Sequence, residues 1–407
     1  MKCRNCGSAN CSVVLDLVAS PPSNSLLSPE DLQEAELYYP LCVFACQDCW
    51  LVQLPEHKRA QDIFAHQYPY FSSYSTTWLQ HAKEFAERTR ARFNLTRESR
   101  VIEIGSNDGY LLRNFHPEIP SLGIEPTPQT ADVARSLGIP CLVEYFGTST
   151  AYRLIEEDRL ADLLVVNNVL AHVPNLHDFV RGCRLLLKED GVLSVEFPHL
   201  VNLLRFNQFD TIYHEHFSYF SLKVICNVFA RHDLLVFDVE EIPTHGGSLR
   251  VFASHLSSKR FEQNNRVSQI IDEEEAAGIF STVTYLSFAR RVSAVRSSFL
   301  RFLLEAESAG QSITGYGAAA KAATLLNYSG VKPDQIAYVA DKSPYKQGKF
   351  LPGSHLPIVS PEEILSTQPN YIIIFPWNIA GEISEEMADI RRWGGKFVTI
   401  IPQLTVW

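Results

Sequence analysis

Six of the nine cysteines in this 407-residue chain fall within its first 49 positions, four of them as Cys3-x-x-Cys6 and Cys46-x-x-Cys49. No other feature restricts the fold as tightly. Nine cysteines, an odd number, are too sparse for a disulfide scaffold, so their clustering points to a metal. Two such turns bring four thiolates to where a tetrahedral Zn²⁺ is held at about 2.3 Å, with no position left for water, which makes the site structural. The pairs stand about 40 residues apart, so the chain between them must fold back. The plainer reading is free buried cysteines that pair only in sequence. Cys11 and Cys42 compete for a ligand place and are expected to be core residues.

Beyond this region short apolar runs at 101–104, 122–125, 163–167 and 192–196 alternate with turn or helix-like stretches, the pattern of a parallel sheet. The runs at 234–239 and 248–253 should pair antiparallel at its edge. A helix is expected over 78–93 and another from Tyr110. The charged stretch 257–275 reads as a solvated helix or linker, followed by a long helix to Ala309. A second alternating pattern, with strands at 312–314, 336–340, 371–375 and 397–401, predicts a smaller doubly wound domain. The expected division is 1–56, 57–256, linker helices over 257–310, and 311–407. A net charge of −10 argues against a general nucleic-acid or acidic-membrane partner. No apolar run approaches the roughly 20 residues of a membrane span. With no apolar signal core at the start, the cytoplasm is the default location. The oligomeric state is open, a monomer being compatible with the sequence.

Four polar constellations carry the chemistry. In Val101-Ile-Glu-Ile-Gly-Ser-Asn-Asp-Gly109 a strand runs into a turn with glycines at 105 and 109, where a ligand can approach the backbone. Glu125, 16 residues after Gly109, ends the next strand, where a carboxylate can accept from a ribose diol. The layout resembles the E-x-G-x-x-x-G motif of Rossmann-like methyltransferases, which places Glu103, Gly105, Asn107, Asp108, Gly109 and Glu125 on the cofactor side. Asn167 and Asn168 open the run Asn167-Asn-Val-Leu-Ala-His-Val-Pro-Asn175, where methyltransferases often present cofactor-facing polar groups; His172 there is a candidate on the substrate side. In Tyr213-His-Glu-His-Phe217 successive functional side chains suit neither a helix nor a core strand, and a cleft is where such groups are used. A polar surface loop and a metal pair at His214 and His216 are the competing readings, but H-E-x-x-H spacing is absent. Finally, Thr314-Gly-Tyr-Gly-Ala-Ala-Ala-Lys321 with Asp341 approaches a dinucleotide fingerprint and supports a rival NAD-linked oxidoreductase.

Taken together these motifs resemble the sugar C-methyltransferases of deoxysugar biosynthesis, which methylate carbon 3 of a thymidine-diphosphate-linked 4-keto-6-deoxysugar. The resemblance runs over nearly the whole chain. It includes both cysteine pairs, Tyr70-Phe-Ser-Ser-Tyr-Ser75, Glu103-x-Gly-x-Asn-Asp-Gly109, Tyr213-His-Glu-His-Phe217, His245-Gly-Gly-Ser-Leu-Arg250, Gly315-Tyr-Gly-Ala-Ala-Ala-Lys321, Asp341-x-Ser-Pro-x-Lys346 and Pro376-Trp-Asn378. It implies an α/β protein with an N-terminal zinc-binding module, a central Rossmann-like methyltransferase domain and a C-terminal Rossmann-like domain without a cofactor of its own. S-adenosylmethionine and a structural Zn²⁺ held by Cys3, Cys6, Cys46 and Cys49 would be the cofactors. A nucleotide-linked sugar would be the substrate, with Tyr74 counted among the cofactor contacts. His216 would match the base, with Tyr213, Glu215 and His172 around the reacting sugar. A methyltransferase acting on another acceptor, at oxygen or on a non-sugar, is the nearest alternative.

Overall fold

The computed structural model describes residues 1–59 and 71–407; Tyr68 to Tyr70 of the aromatic and serine cluster lie outside the described residues. The cysteine-rich region forms β1 (Cys11–Ser20), β2 (Tyr39–Cys46) and β3 (Val52–Gln53), an antiparallel ladder. A fourth strand pairs with β3, but it comes from the middle of the chain, Ser218–Tyr219.

Helix α1 (Thr76–Phe93) leads into the central sheet. Ser75 caps it by accepting from the Trp78 N–H, and left-handed Asn94 ends it. The strands are β4 (Val101–Ile104), β5 (Ser121–Ile124), β6 (Cys141–Leu142), β7 (Ala161–Asn167), β8 (Leu187–Pro198), β10 (Leu234–Ile242) and β11 (Ser248–His255), with β9 the Ser218–Tyr219 strand of the first sheet. Their order is β10-β11-β8-β7-β4-β5-β6, parallel from β8 to β6, with β11 antiparallel to both β8 and β10. β4 and most of β7 are buried throughout, as strands covered on both faces must be. Helices α2 (Pro128–Ser136), α3 (Thr148–Glu156) and α4 (Leu176–Leu186) lie between the parallel strands; α5 (Leu200–Arg205) and α6 (Leu222–Ala230) follow β8. Because β5 follows β4 on one side and β7 lies on the other, the sheet reverses direction at β4. That reversal opens a crevice at the carboxyl ends of β4 and β7.

The helix expected from Tyr110 does not form. A single 3₁₀ turn, Leu112–Asn114, occupies that place. Pro117 and Pro120 exclude helix across the short return to β5.

The stretch 257–275 also differs from expectation. Helix α7 (Asn265–Ala276) is not merely solvated: Glu274 is fully buried, accepting from the Lys223 N–H at the start of α6 (3.0 Å), from the Leu222 N–H, and from His199 Nε2 (2.7 Å). Helix α8 (Thr282–Ser308) buries Tyr285, Phe288, Val292, Val295, Phe299, Leu303 and Ala306, spaced at three and four residues as a single helical face. Against that face pack Val14, Leu17 and Val43 of the N-terminal sheet and Leu325 and Leu326 of the last domain, all in one apolar core.

The last domain has β12 (Ile313–Tyr316), α9 (Ala320–Ser329), β13 (Val339–Ala340), β14 (Ile358–Val359), α10 (Glu362–Thr367), β15 (Tyr371–Ile374), α11 (Ala380–Glu386), β16 (Lys396–Thr399) and β17 (Thr405–Val406). The order β14-β13-β12-β15-β16-β17 is parallel except at β17, so this sheet too reverses, between β12 and β15. Among the described residues no helix is long and apolar enough to cross a membrane.

Replacing Glu274 by Ala leaves several buried donors without their acceptor. Urea denaturation followed by circular dichroism is expected to show a loss of about 3 kcal/mol; an unchanged midpoint would refute the role given to this carboxylate.

Candidate active site and metal centre

The sulfurs of Cys3, Cys6, Cys46 and Cys49 all lie within 4.8 Å of one another. Each pair sits on a tight turn: the Gly7 N–H returns to the Cys3 carbonyl (2.8 Å) and the Trp50 N–H to that of Cys46 (2.9 Å), with Gly7 and Trp50 at positive φ. The closest approaches are Cys3–Cys49 and Cys6–Cys46, both 3.5 Å. A tetrahedron with Zn–S bonds of about 2.3 Å has sulfur–sulfur edges of about 3.8 Å, so the four thiols fit zinc. Cys11 and Cys42 stay outside this group and are half-buried rather than in the core, because β1 and β2 place them at positions only partly covered by neighbours.

At the end of β4 the chain turns through Gly105, Asn107 and Gly109, all at positive φ. A Cβ on Gly109 would lie 2.6 Å from Ile139 Cδ1, and one on Gly105 would collide with Val169. The turn therefore presses its backbone onto neighbouring elements. Glu125 is 5% exposed; its Oε2 accepts from the Asn107 N–H (3.0 Å) and its Oε1 from the Thr127 N–H (2.9 Å). Burial raises its carboxyl pKa, and these two amides oppose the shift. Each oxygen keeps further acceptor capacity. The 3₁₀ turn Ser72–Tyr74 straps across the glycine turn, its Ser72 and Ser73 N–H groups donating to Asn107 Oδ1 (2.9 Å) and Asp108 Oδ2 (3.0 Å). Tyr74 is half exposed and stacks on Phe71 at 5.5 Å, and Phe71 stacks on Tyr345 at 5.1 Å. Asp108 Oδ1, Asn167 Oδ1 and the Asn168 amide atoms are buried without a hydrogen-bond partner among the described residues. Such orphaned groups along one crevice suit a polar ligand. Glu103 is fully buried within β4; burial holds its carboxyl well above the usual carboxylate range, with the Tyr110 side chain opposing.

The polar run 213–216 divides. His216 Nδ1 lies 2.8 Å from the Thr211 carbonyl and His172 Nδ1 lies 2.8 Å from the Glu215 carbonyl; carbonyls only accept, so both Nδ1 atoms carry the proton. The His172 and His216 rings are 4.7 Å apart and Tyr213 tilts over His216 at 4.1 Å. Burial pulls His216 well below its ordinary pKa, assisted by His172, and takes His172 down to about 4. Both are therefore neutral at pH 7, and the tautomer leaves His216 Nε2 as a lone pair. His214 and Glu215 make hydrogen bonds to the N-terminal region. The His214 Nε2 donates to the carbonyls of Tyr39 (3.2 Å) and Pro40 (3.3 Å), while Glu215 Oε1 accepts from Asn24 Nδ2 (2.7 Å).

The last domain bonds to the loop that leads into Tyr213 and His216. Thr324 of α9 donates to the Ile212 carbonyl (3.0 Å) and Trp377 Nε1 donates to Asp210 Oδ2 (2.7 Å). Lys321 Nζ donates to Asn378 Oδ1 and lies 4.4 Å from the Trp377 ring centroid. Burial takes Lys321 down to about 8 and Asp210 up to about 6, each countered by the other's charge. Asp341, the acidic residue after the second glycine turn, accepts from the Ala318 N–H (2.8 Å), the Ser343 N–H (2.9 Å) and Lys346 Nζ (3.2 Å).

Family models match the chain in three stretches: "Putative zinc binding domain" over 3–64, "Methyltransferase domain" over 78–238 and "C-methyltransferase C-terminal domain" over 243–402. The C-methyltransferase NovU of Streptomyces niveus is 35% identical over 403 residues, 99% of this chain and 96% of that protein. The chain belongs to the C-methyltransferase family. It is an S-adenosylmethionine-dependent enzyme with a zinc-binding module. Solved structures similar to part of this C-methyltransferase include S-adenosylmethionine-dependent methyltransferases from Clostridium acetobutylicum (11% identity, 44% of this chain and 92% of that one, TM-score 0.35) and Mesorhizobium loti (16%, 43% and 99%, TM-score 0.34).

In this C-methyltransferase the structure gathers His216, Tyr213 and His172, and separately Asn107, Asp108 and Glu125 around the glycine turn. Glu215, next to His216 in the chain, has one carboxylate oxygen bonded to Asn24. Asp210, an isolated aspartate three residues before Tyr213, forms no pattern in the sequence. Trp377 and Asn378 were visible only through the resemblance.

Cys46→Ser is expected to abolish stoichiometric zinc, near one per chain in elemental analysis of the parent, since metal binding supplies about 10–16 kcal/mol to small zinc modules. Parent protein without zinc would refute the assignment.

Proposed function

We propose that this C-methyltransferase moves a methyl group from S-adenosylmethionine to carbon 3 of a dTDP-linked 4-keto-6-deoxysugar, through an enolate generated by His216. The observation that carries the reading is the neutral His216 ring, its tautomer fixed by the Thr211 carbonyl and its neighbours Tyr213 and His172 packed against it. Methylation at oxygen needs no carbon-acid base; methylation beside a ketone does.

Each group then has a task. Glu125 takes the ribose diol of the cofactor, and the 105–109 turn, Asp108, Asn167 and Asn168 line its course, with Glu103 beneath the turn and Tyr74 at its mouth. When bound, the cofactor supplies an electrophilic sulfonium methyl. His216 Nε2 removes the proton next to the ketone, which C4 makes acidic, and a histidine in its neutral form is the competent base. Tyr213 stands within reach of the same ring system as a neutral donor. His172 orients the pair through the Glu215 carbonyl, and Glu215 fixes the loop through Asn24. Cys3, Cys6, Cys46 and Cys49 hold the zinc and take no part in the chemistry.

Glu125→Ala should weaken S-adenosylhomocysteine binding by roughly 10- to 100-fold, as loss of charge-assisted hydrogen bonds does; calorimetry reads it, and unaltered affinity would move the ribose elsewhere. His216→Asn should cut turnover by roughly 10²–10⁴-fold with cofactor affinity kept. Because the His216 pKa is depressed, the base form persists as the pH falls below 6.5, so the acid limb of kcat/KM is expected below that value. A limb near pH 7 would refute this environment for the base. Nuclear magnetic resonance of the product from a panel of keto-sugar nucleotides fixes the acceptor. A methyl on the other carbon flanking the ketone would keep the mechanism and correct the position.

A further inference from the structure

Proton removal beside a ketone places a full negative charge on oxygen next to His172 and His216, whose rings lie 4.7 Å apart and are both held neutral by burial. Such a charge needs a preorganised partner, and a cationic donor is about twice as strong as a neutral one. Lys321 lies one turn before Thr324 on the same side of α9, the side that bonds the Ile212 carbonyl next to Tyr213, and its ammonium sits on Trp377, which bonds Asp210 in the same loop. The lysine is the second residue of α9, at the reversal of the C-terminal sheet.

Its environment is built. The ammonium lies against the face of Trp377 and donates one hydrogen to Asn378, leaving two N–H bonds. Trp377 in turn grips Asp210, which is 1% exposed. A phosphate would meet the Asp210 carboxylate in this cluster, which opposes an anionic ligand. A carbonyl oxygen that becomes charged only during reaction suits the balanced pair.

We propose that Lys321 is the catalytic electrophile: its ammonium donates to the carbonyl oxygen of the acceptor and stabilises the oxyanion formed when His216 removes the neighbouring proton. Asp210, Trp377 and Asn378 are its positioning residues. This rests on the enolate reading given above. The C–H bond breaks, its proton goes to His216 Nε2, and its electron pair moves into the new C=C bond as the carbonyl pair moves to oxygen beside Lys321. That electron density then forms the bond to the methyl carbon as the S–CH₃ bond breaks, which releases S-adenosylhomocysteine and restores the ketone. The proton on His216 leaves to water. A pKa near 8 brings the lysine closer to an enol in acidity than a free lysine is, without costing it its charge at pH 7.

The test incubates the full-length protein with a keto-sugar nucleotide and S-adenosylhomocysteine in D₂O and follows deuterium entering the carbon beside the ketone. Lys321→Met is expected to slow exchange and methyl transfer together by roughly 10²–10³-fold, with the affinities for S-adenosylhomocysteine and acceptor nearly kept. Asp210→Asn should slow both steps by a smaller, parallel factor. Lys321→Ala, a second variant, should recover exchange when ethylamine is added. Exchange at the wild-type rate in Lys321→Met, or a loss confined to KM, overturns the proposal. So does Lys321→Ala that binds S-adenosylhomocysteine yet gains nothing from the amine. If wild type shows no exchange and His216→Asn turns over normally, the enolate reading itself is lost. If wild type exchanges, His216→Asn does not and Lys321→Met does, only the lysine's role is lost.

Discussion

The segment 210–219 is held by hydrogen bonds from three domains at once, and the His172, Tyr213 and His216 cluster forms where those holds coincide. Asp210 and the Ile212 carbonyl are taken by Trp377 and Thr324 of the C-terminal domain. His214 and Glu215 are taken by Tyr39, Pro40 and Asn24 of the N-terminal region. The Glu215 carbonyl and the Phe217 N–H are taken by His172 and by the Ala171 carbonyl (2.7 Å) of the central domain. A loop with no helix or sheet of its own over 212–217 would otherwise sample many conformations, at a cost of about 1–2 kcal/mol per residue to fix. Cross-domain bonds supply that fixation and aim His216.

Electrostatics follow the same logic. His172 and His216 are buried, neutral and bonded to carbonyls, so neither ring strands a charge in the interior. The charged groups, Lys321 and Asp210, oppose one another at the domain boundary. Deeper in the central domain, Glu196 is buried against Arg250 and His81, which hold its carboxyl below the usual range despite burial. Solvated surface pairs do little by comparison.

Much of this was legible in the sequence wherever the signal is local. Two CxxC turns announce four converging sulfurs, and unbroken apolar runs announce the parallel strands. A strand-then-glycine turn followed by an acidic strand end announces the crevice that holds Glu125. Legibility stops where contacts cross domains. Nothing in the sequence says that Glu215 faces Asn24, that Asp210 faces Trp377, or that Glu274 leaves its helix surface to bind the start of α6. The missing helix after Gly109 is a different failure: the Rossmann pattern expects one, and two prolines in the following eleven residues outweigh the pattern.

The pairing of β9 with β3 sets an order of events during synthesis. The strand that completes the N-terminal sheet leaves the ribosome roughly 165 residues after its partner, a delay on the order of ten seconds at ordinary rates of translation. Over that interval the nascent metal module has an open β3 edge, and such an edge invites pairing with another chain. The four cysteines, by contrast, have all emerged by residue 49. Early zinc capture would therefore hold the nascent module in shape while it waits for its last strand, which makes metal supply a determinant of how cleanly the chain is born.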